Sequence, residues 1–252
     1  LFGSPLPAAE AIAIGLAMVF AAGLIRGFTG FGFSIAAVPL LSAIMPPAQA
    51  VPIVLVLQLL VSLSGLGEAV KICDWRSIRV LALGVLIATP VGLWGLERLP
   101  APLVRLAIAA IVLIAVILLA RGFRLAAAPR GAGVLPFGVV SGLFNGLAGM
   151  PGPPVIAFYL AAPIGSAVAR ASMIVLFLAT SAIALVPLAG LGALGAATLL
   201  AAAFGFPAVW IGSRAGAALY RRSPERRYRT VAMALLVATA LLAAARAVLD
   251  FA

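Results

Sequence analysis

Gly23-Leu24-Ile25-Arg26-Gly27-Phe28-Thr29-Gly30 is answered 119 positions later by Gly142-Leu143-Phe144-Asn145-Gly146-Leu147-Ala148-Gly149. Three glycines and a leucine keep the same spacing inside two strongly apolar stretches. In a chain rich in Gly, Ala and Leu a four-position match carries little weight alone. Its weight comes from the flanking sequence, which lines up as well: Ala48 with Ala167, Pro90 with Pro207, Gly95 with Gly212, and Pro102 with Pro224, each proline of the last pair followed by an arginine (Arg105, Arg227). A glycine-rich interruption recurring at matching places in two halves of a membrane protein is the signature of a transporter whose substrate sits where interrupted helices meet.

Composition places the chain in a bilayer. Hydrophobic residues make up 65% and charged residues 9%, with a mean hydropathy of +1.28, whereas soluble domains are about half apolar and about a quarter charged. The apolar runs are long and lack the alternating pattern of outer-membrane strands, so the expected fold is an all-α polytopic membrane protein. The net charge of +11 is read as arginine-rich cytoplasmic loops and not as a nucleic-acid surface. No basic region precedes the first apolar run, and no removable signal peptide is expected. The single cysteine, Cys73, excludes an internal disulfide and cysteine-rich metal chemistry.

Hydropathy and turn residues give five helical segments per half, near 8 to 26, 33 to 45, 48 to 66, 78 to 96 and 102 to 120, then 131 to 147, 153 to 163, 167 to 187, 191 to 212 and 226 to 248. The halves are expected as residues 1–124 and 125–252, joined through the loop 121–130. Arg214, Arg221, Arg222, Arg226, Arg227 and Arg229 crowd the connection before the last segment and place it in the cytoplasm. Counting back puts Arg121, Arg124 and Arg130 inside, Lys71, Arg76 and Arg79 inside, and the turn at Pro46-Pro47 outside. Both termini then fall outside a bacterial inner membrane. Because five is odd, the second half enters from the opposite side, which predicts two five-segment inverted repeats.

The second segment of each half rises only about 20 Å, too little for a hydrocarbon core of about 30 Å. Segments one and two of each half are therefore expected as a partly re-entrant pair with the glycine motif at its tip. Glycine permits the turn, and the prolines at 151, 153 and 154 suit a helix start. The two short helices would aim their N-terminal dipole ends inward from opposite sides, a place suited to an anion.

The candidate substrate-binding residues follow from that geometry: Arg26, Thr29, Gly30, Gly32, Ser34, Gln58, Asn145, Gly149, Gly152 and Tyr159. Arg26 has two readings, a cavity ligand or an arginine reaching the interface. Its counterpart Asn145 is a neutral donor, an asymmetry that suits a substrate with one strongly charged end. Thr29 and Ser34 either face an oxyanion or cap a helix. Gln58 either contacts substrate or bonds a neighbouring helix. Tyr159 either lines the cavity or joins an interfacial aromatic belt. Arg170 is read as a cytoplasmic helix start, and Ser172, Thr180, Ser181 and Thr198 as packing residues.

Histidine is missing, and the acids Glu10, Glu68, Asp74, Glu97, Glu225 and Asp250 fall in loops or at ends. No mid-membrane proton carboxylate, metal cluster, nucleophile and base pair, or GxxxxGK[ST] phosphate loop is present in the sequence. An enzyme and an ATP-driven pump are not expected, and no cofactor is implied.

The motifs GFTGFGFSIAAVPLL at 27 to 41 and GLFNGLAGMPGPPVIAFYL at 142 to 160 resemble the paired glycine-rich motifs of the TauE/SafE family of sulfite and organosulfonate exporters, also described as a toluene-sulfonate uptake permease family. The resemblance spans nearly the whole chain. Phe33 stands where the family often has another glycine, and Met150-Pro151 replaces a commoner small-residue run. The resemblance implies transport of sulfite, sulfoacetate or another organosulfonate, in a protein whose partners are a small anion and the lipid bilayer. A passive anion channel, an uptake permease and a noncatalytic scaffold are the competing readings.

Overall fold

The computed structural model describes residues 8–121, 129, 131–161, 164–222 and 245. Among them all regular structure is helical: α1 (Ala8–Thr29), α2 (Phe33–Ser42), α3 (Pro47–Leu63), α4 (Leu66–Ile72), α5 (Trp75–Arg98), α6 (Ala101–Arg121), a 3₁₀ turn (Gly131–Val134), α7 (Leu135–Ala148), α8 (Gly152–Ala161), α9 (Ser166–Gly190) and α10 (Ala196–Arg222). Six of these helices, counting α7 with its preceding turn, are long and apolar enough to cross a membrane, and α3 with α4 forms an apolar pair bent by 74°, a broken span or a re-entrant loop. The chain is a multi-pass membrane protein.

Nine of the ten expected segments coincide with these helices. The tenth, 226 to 248, lies outside the described residues except for Ala245, as do Arg124, Arg130, Arg226, Arg227 and Arg229. Two boundaries differ for physical reasons. The stretch read as a loop from Gly67 contains α4, which starts after Gly65 in a left-handed turn and carries Glu68 near its N-terminus and Lys71 near its C-terminus, each placed favourably for the helix dipole. Seven residues are too few to leave a periodicity in the sequence. α10 runs on past Gly212 to Arg222, because alanine-rich sequence continues a helix whether or not lipid still surrounds it.

The core is built around the short helices. All but one residue of α2 are buried, as are residues 152 to 159 of α8. Each ten-residue helix rises about 15 Å, half the thickness of a hydrocarbon core. The outer helices turn apolar residues outward instead, among them Leu86, Ile87, Val91 and Trp94 of α5 and Phe204 of α10, as lipid-facing surfaces require.

Two helix pairs touch backbone to backbone, α1 with α10 and α5 with α7. A Cβ on Gly23 would stand 2.6 Å from Val209 O, and one on Gly142 would stand 2.8 Å from Val85 O. Lipid tails are as apolar as leucine, so close packing of small residues takes the place of a hydrophobic drive between membrane helices. Arg105, 9% exposed, adds a polar clasp: its Nε donates to Ser42 O (2.9 Å), holding the end of α2 against α6.

Gly27→Ala would press its methyl into the Ser213 backbone of α10. It is expected to destabilise the purified protein by about 2 kcal/mol. Gly67→Ala on α4 meets nothing within 4 Å and is expected to be neutral or to stabilise by up to about 1 kcal/mol. Thermal unfolding midpoints in detergent check both; equal midpoints for the two variants would contradict the packing.

Candidate functional site

Both glycine motifs are helix breaks. At the first, α1 ends with the Gly30 N–H on Arg26 O (2.6 Å), and Gly30 and Gly32 take φ of 82° and 87°, a left-handed conformation that favours glycine. The Thr29 hydroxyl lies 2.8 Å from Ile25 O, accepts from the Phe31 N–H (3.2 Å) and also contacts Phe31 O. These contacts stitch the turn between α1 and α2, while the N-cap of α2 is Gly32. Gly32 is the N-cap of α2 and, having no side chain, supplies no side-chain cap bond to the start of the helix.

Arg26 is partly buried in the last turn of α1. Among the described residues, none accepts a hydrogen bond from its guanidinium. The side chain of Arg170, from α9, lies over Gly30: a Cβ built there would be 2.8 Å from Arg170 Nε and 2.9 Å from Cζ. Ser34 is in the first turn of α2, 6% exposed.

At the second break Gly149 (φ 61°) closes α7, its N–H on Asn145 O (2.8 Å) and the Met150 N–H on Phe144 O (3.2 Å). A Cβ on Gly149 would meet Val51 Cγ1 at 3.2 Å and Leu55 Cγ at 3.5 Å. Asn145 is fully buried; its Nδ2 donates to Thr180 O (2.9 Å) and reaches Thr89 Oγ1 (3.4 Å), while its Oδ1 and the nearby Ser141 Oγ have no partner. Pro153 and Pro154 occupy the first turn of α8, where a missing N–H costs nothing.

The breaks meet. A Cβ on Gly152, the first residue of α8, would be 2.9 Å from Cδ1 of Ile35, in the first turn of α2. Of the ten candidate residues, Arg26, Thr29, Gly30, Gly32 and Ser34 stand at one break, and Asn145, Gly149 and Gly152 at the other. Gln58 and Tyr159 stand elsewhere. Gln58 is buried in α3 and donates to Ser62 Oγ (2.9 Å). Tyr159 is 2% exposed, with its hydroxyl 2.9 Å from Ser77 Oγ. Ser77 Oγ in turn donates to Asp74 O (3.1 Å), and the Asp74 N–H donates to Ser172 Oγ (2.8 Å). Tyr159 thereby ties α8 to the start of α5, with α9 held to the same turn, and is not part of an interfacial belt.

Sequence reasoning read Arg170 as a helix start, and it does stand near the start of α9, but did not place its side chain at the first break. The signal was present: the offset matching Ala48 to Ala167 matches Val51 to Arg170, and Val51 is the residue that faces the second glycine as Arg170 faces the first. A groove of about 370 Å³ lined by Gly15, Leu41, Ile44 and Phe204 is apolar and contains none of these groups.

A multi-pass helical bundle in which two half-length helices meet at glycine breaks has the build of a membrane transporter. Residues 15–243 match the family described as "Sulfite exporter TauE/SafE". A protein of Cupriavidus necator described as "Probable sulfite/organosulfonate exporter TauE" is 30% identical over 210 residues, covering 81% of this chain and 82% of its own. No solved structure matches. The chain belongs to the TauE/SafE sulfite exporter family; it is a membrane transporter and not an enzyme.

Tyr159→Phe removes the bond to Ser77 and is expected to lower stability by about 1 kcal/mol while leaving anion affinity unchanged. Paired unfolding and binding measurements check this; a loss of affinity without a loss of stability would instead make Tyr159 a ligand.

Proposed function

We propose that this protein is a secondary transporter that moves a small sulfur oxyanion, such as sulfite, sulfoacetate or another organosulfonate, out across a bacterial inner membrane by alternating access. The observation that carries the reading is the contact between the first turns of α2 and α8. Two helix N-termini abut at Gly152 and Ile35, and each terminus carries roughly half a positive charge. Arg26 adds a whole one. Export needs no proton-carrying carboxylate: an inside-negative potential of 100 mV favours expelling one negative charge by about 2.3 kcal/mol.

Alternating access is argued from an inverted repeat of residues 1–124 and 125–252. Its support is the exchange of partners between halves, α1 packing on α10 and α7 on α5. Gly216 approaches Leu24 O and Phe28 N, and Gly92 approaches Leu143 O and Leu147 N, the same pair of positions moved by the 119-residue offset. Packing therefore favours Gly92 as the equivalent of Gly216, whereas the sequence alone matched Gly95 to Gly212. The arginine loops place both termini outside.

Reconstituted protein is expected to show saturable flux of a sulfur oxyanion with counterflow, and Arg26→Ala to abolish binding in a folded bundle, read by loss of the ligand-induced thermal shift. Unchanged affinity in Arg26→Ala would remove Arg26 from the site. Unitary currents in a planar bilayer would make the protein a channel. Gly30→Leu or Gly149→Leu is expected to stop flux, since a leucine at either position would collide with Arg170 or with Val51 and Leu55; normal flux in both would place the site elsewhere.

A further inference from the structure

Each helix break follows a polar residue in the last turn of the preceding helix, Arg26 in α1 and Asn145 in α7. The two correspond through the 119-residue offset. One is a fixed cation; the other is an amide whose hydrogen-bonding capacity is only partly used. Asn145 is fully buried, and its Nδ2 donates to Thr180 O of α9 (2.9 Å) and to Thr89 Oγ1 of α5 (3.4 Å). Those bonds engage both amide protons. Because Thr180 O is an acceptor, it fixes the amide nitrogen on its own side and leaves Oδ1 turned elsewhere, without a partner among the described residues. Ser141 stands one turn earlier on the same face of α7. It too is fully buried, and its Oγ has no partner among them either.

Buried polar atoms are almost always hydrogen-bonded, so two orphans a turn apart call for an occupant. What they offer is oxygen. An anion finds no amide donor left, and a divalent cation requires carboxylates. The carboxylates of the described residues stand elsewhere, Glu10 in the first turn of α1, Glu68 in α4, and Asp74 and Glu97 at the two ends of α5. Asn145 also lies near the negative end of the α7 dipole. Neutral oxygens beside the C-terminal end of an interrupted membrane helix suit a monovalent cation.

The first half of the chain has no such oxygens at the matching positions. By the offset of 119 Ser141 corresponds to Ala22, and by the spacing that aligns Pro90 with Pro207 Thr89 corresponds to Phe206. At these positions hydroxyls thus replace apolar side chains in the half that lacks the arginine. A cation held at Asn145 would restore there the charge that Arg26 supplies at the first break.

We propose that Asn145 Oδ1 and Ser141 Oγ, with Thr89 Oγ1 beside the amide, bind a small monovalent cation of the sodium class between α5, α7 and α9. The proposal goes beyond the anion reading and stands on its own oxygens, whichever anion is moved.

The test is the thermal unfolding midpoint of the full chain in nanodiscs, in sodium chloride and in choline chloride at equal ionic strength, with no sulfur oxyanion added. Sodium at about 150 mM is expected to raise the wild-type midpoint by about 2 °C or more over choline, since a ligand bound only by the folded form stabilises it. Ser141→Ala removes one of the orphan oxygens. Its midpoint in choline is expected to rise above that of wild type, because a buried unpaired hydroxyl is lost, and its sodium increment to vanish. Thr89→Val, which exchanges the hydroxyl for a methyl of like shape, is expected to lose the increment as well and serves if Ser141→Ala does not fold. A wild type indifferent to sodium, or a sodium increment that survives in the folded variant, would overturn the proposal. So would a Ser141→Ala midpoint lowered equally in both salts, the mark of a bound water in place of an ion. A protein that responds to sodium as expected yet moves no sulfur oxyanion in vesicles would overturn the transport reading and leave this site standing.

Discussion

An interrupted helix inside hydrocarbon exposes backbone N–H and C=O groups that lipid cannot satisfy, and the architecture of this protein is organised around enclosing two such interruptions. The half-length helices α2 and α8 are buried among the longer ones. At each break a glycine with positive φ turns the chain while local bonds collect some of the stranded groups: Gly30 N–H on Arg26 O, Gly149 N–H on Asn145 O, and the Thr29 hydroxyl on its own turn. The glycine contacts of α1 with α10 and of α5 with α7 lock the helices that lead into the breaks.

The two breaks share a backbone plan and differ in chemistry. One has Arg26 in its last helical turn and the side chain of Arg170 over Gly30; the other has the amide of Asn145, with Val51 and Leu55 against Gly149. A scaffold that repeats a backbone turn need not repeat the side chains around it. Tyr159, Ser77, Asp74 and Ser172 act away from the breaks, joining α8, α5 and α9. Their polar atoms are bonded to one another and to the neighbouring backbone, with the Asp74 carboxylate accepting from the Arg76 N–H and the Ser172 hydroxyl donating to Val168 O.

Much of this was legible in the chain, because hydropathy, glycine and proline act locally. Segment positions, both breaks and the shortness of the helices after them follow from runs of apolar residues and from residues that permit a turn or start a helix. The seven-residue α4 was not legible, being too short for periodicity. Gln58 and Tyr159 looked like candidates because a polar residue in an apolar run is conspicuous, yet conspicuousness does not say whether its partner is a ligand or a neighbouring helix. Here the neighbours are Ser62 and Ser77.

By itself the sequence determined that the chain lives in a membrane, that it is helical, and that it breaks at two related places, since each of these is set by composition and spacing within a few turns. Only the tertiary structure decided that the breaks meet at Gly152 and Ile35, and that the side chain of Arg170 from α9 lies over Gly30. Such encounters depend on how distant helices cross. A crossing is settled by the packing of whole surfaces, which no local stretch of sequence contains.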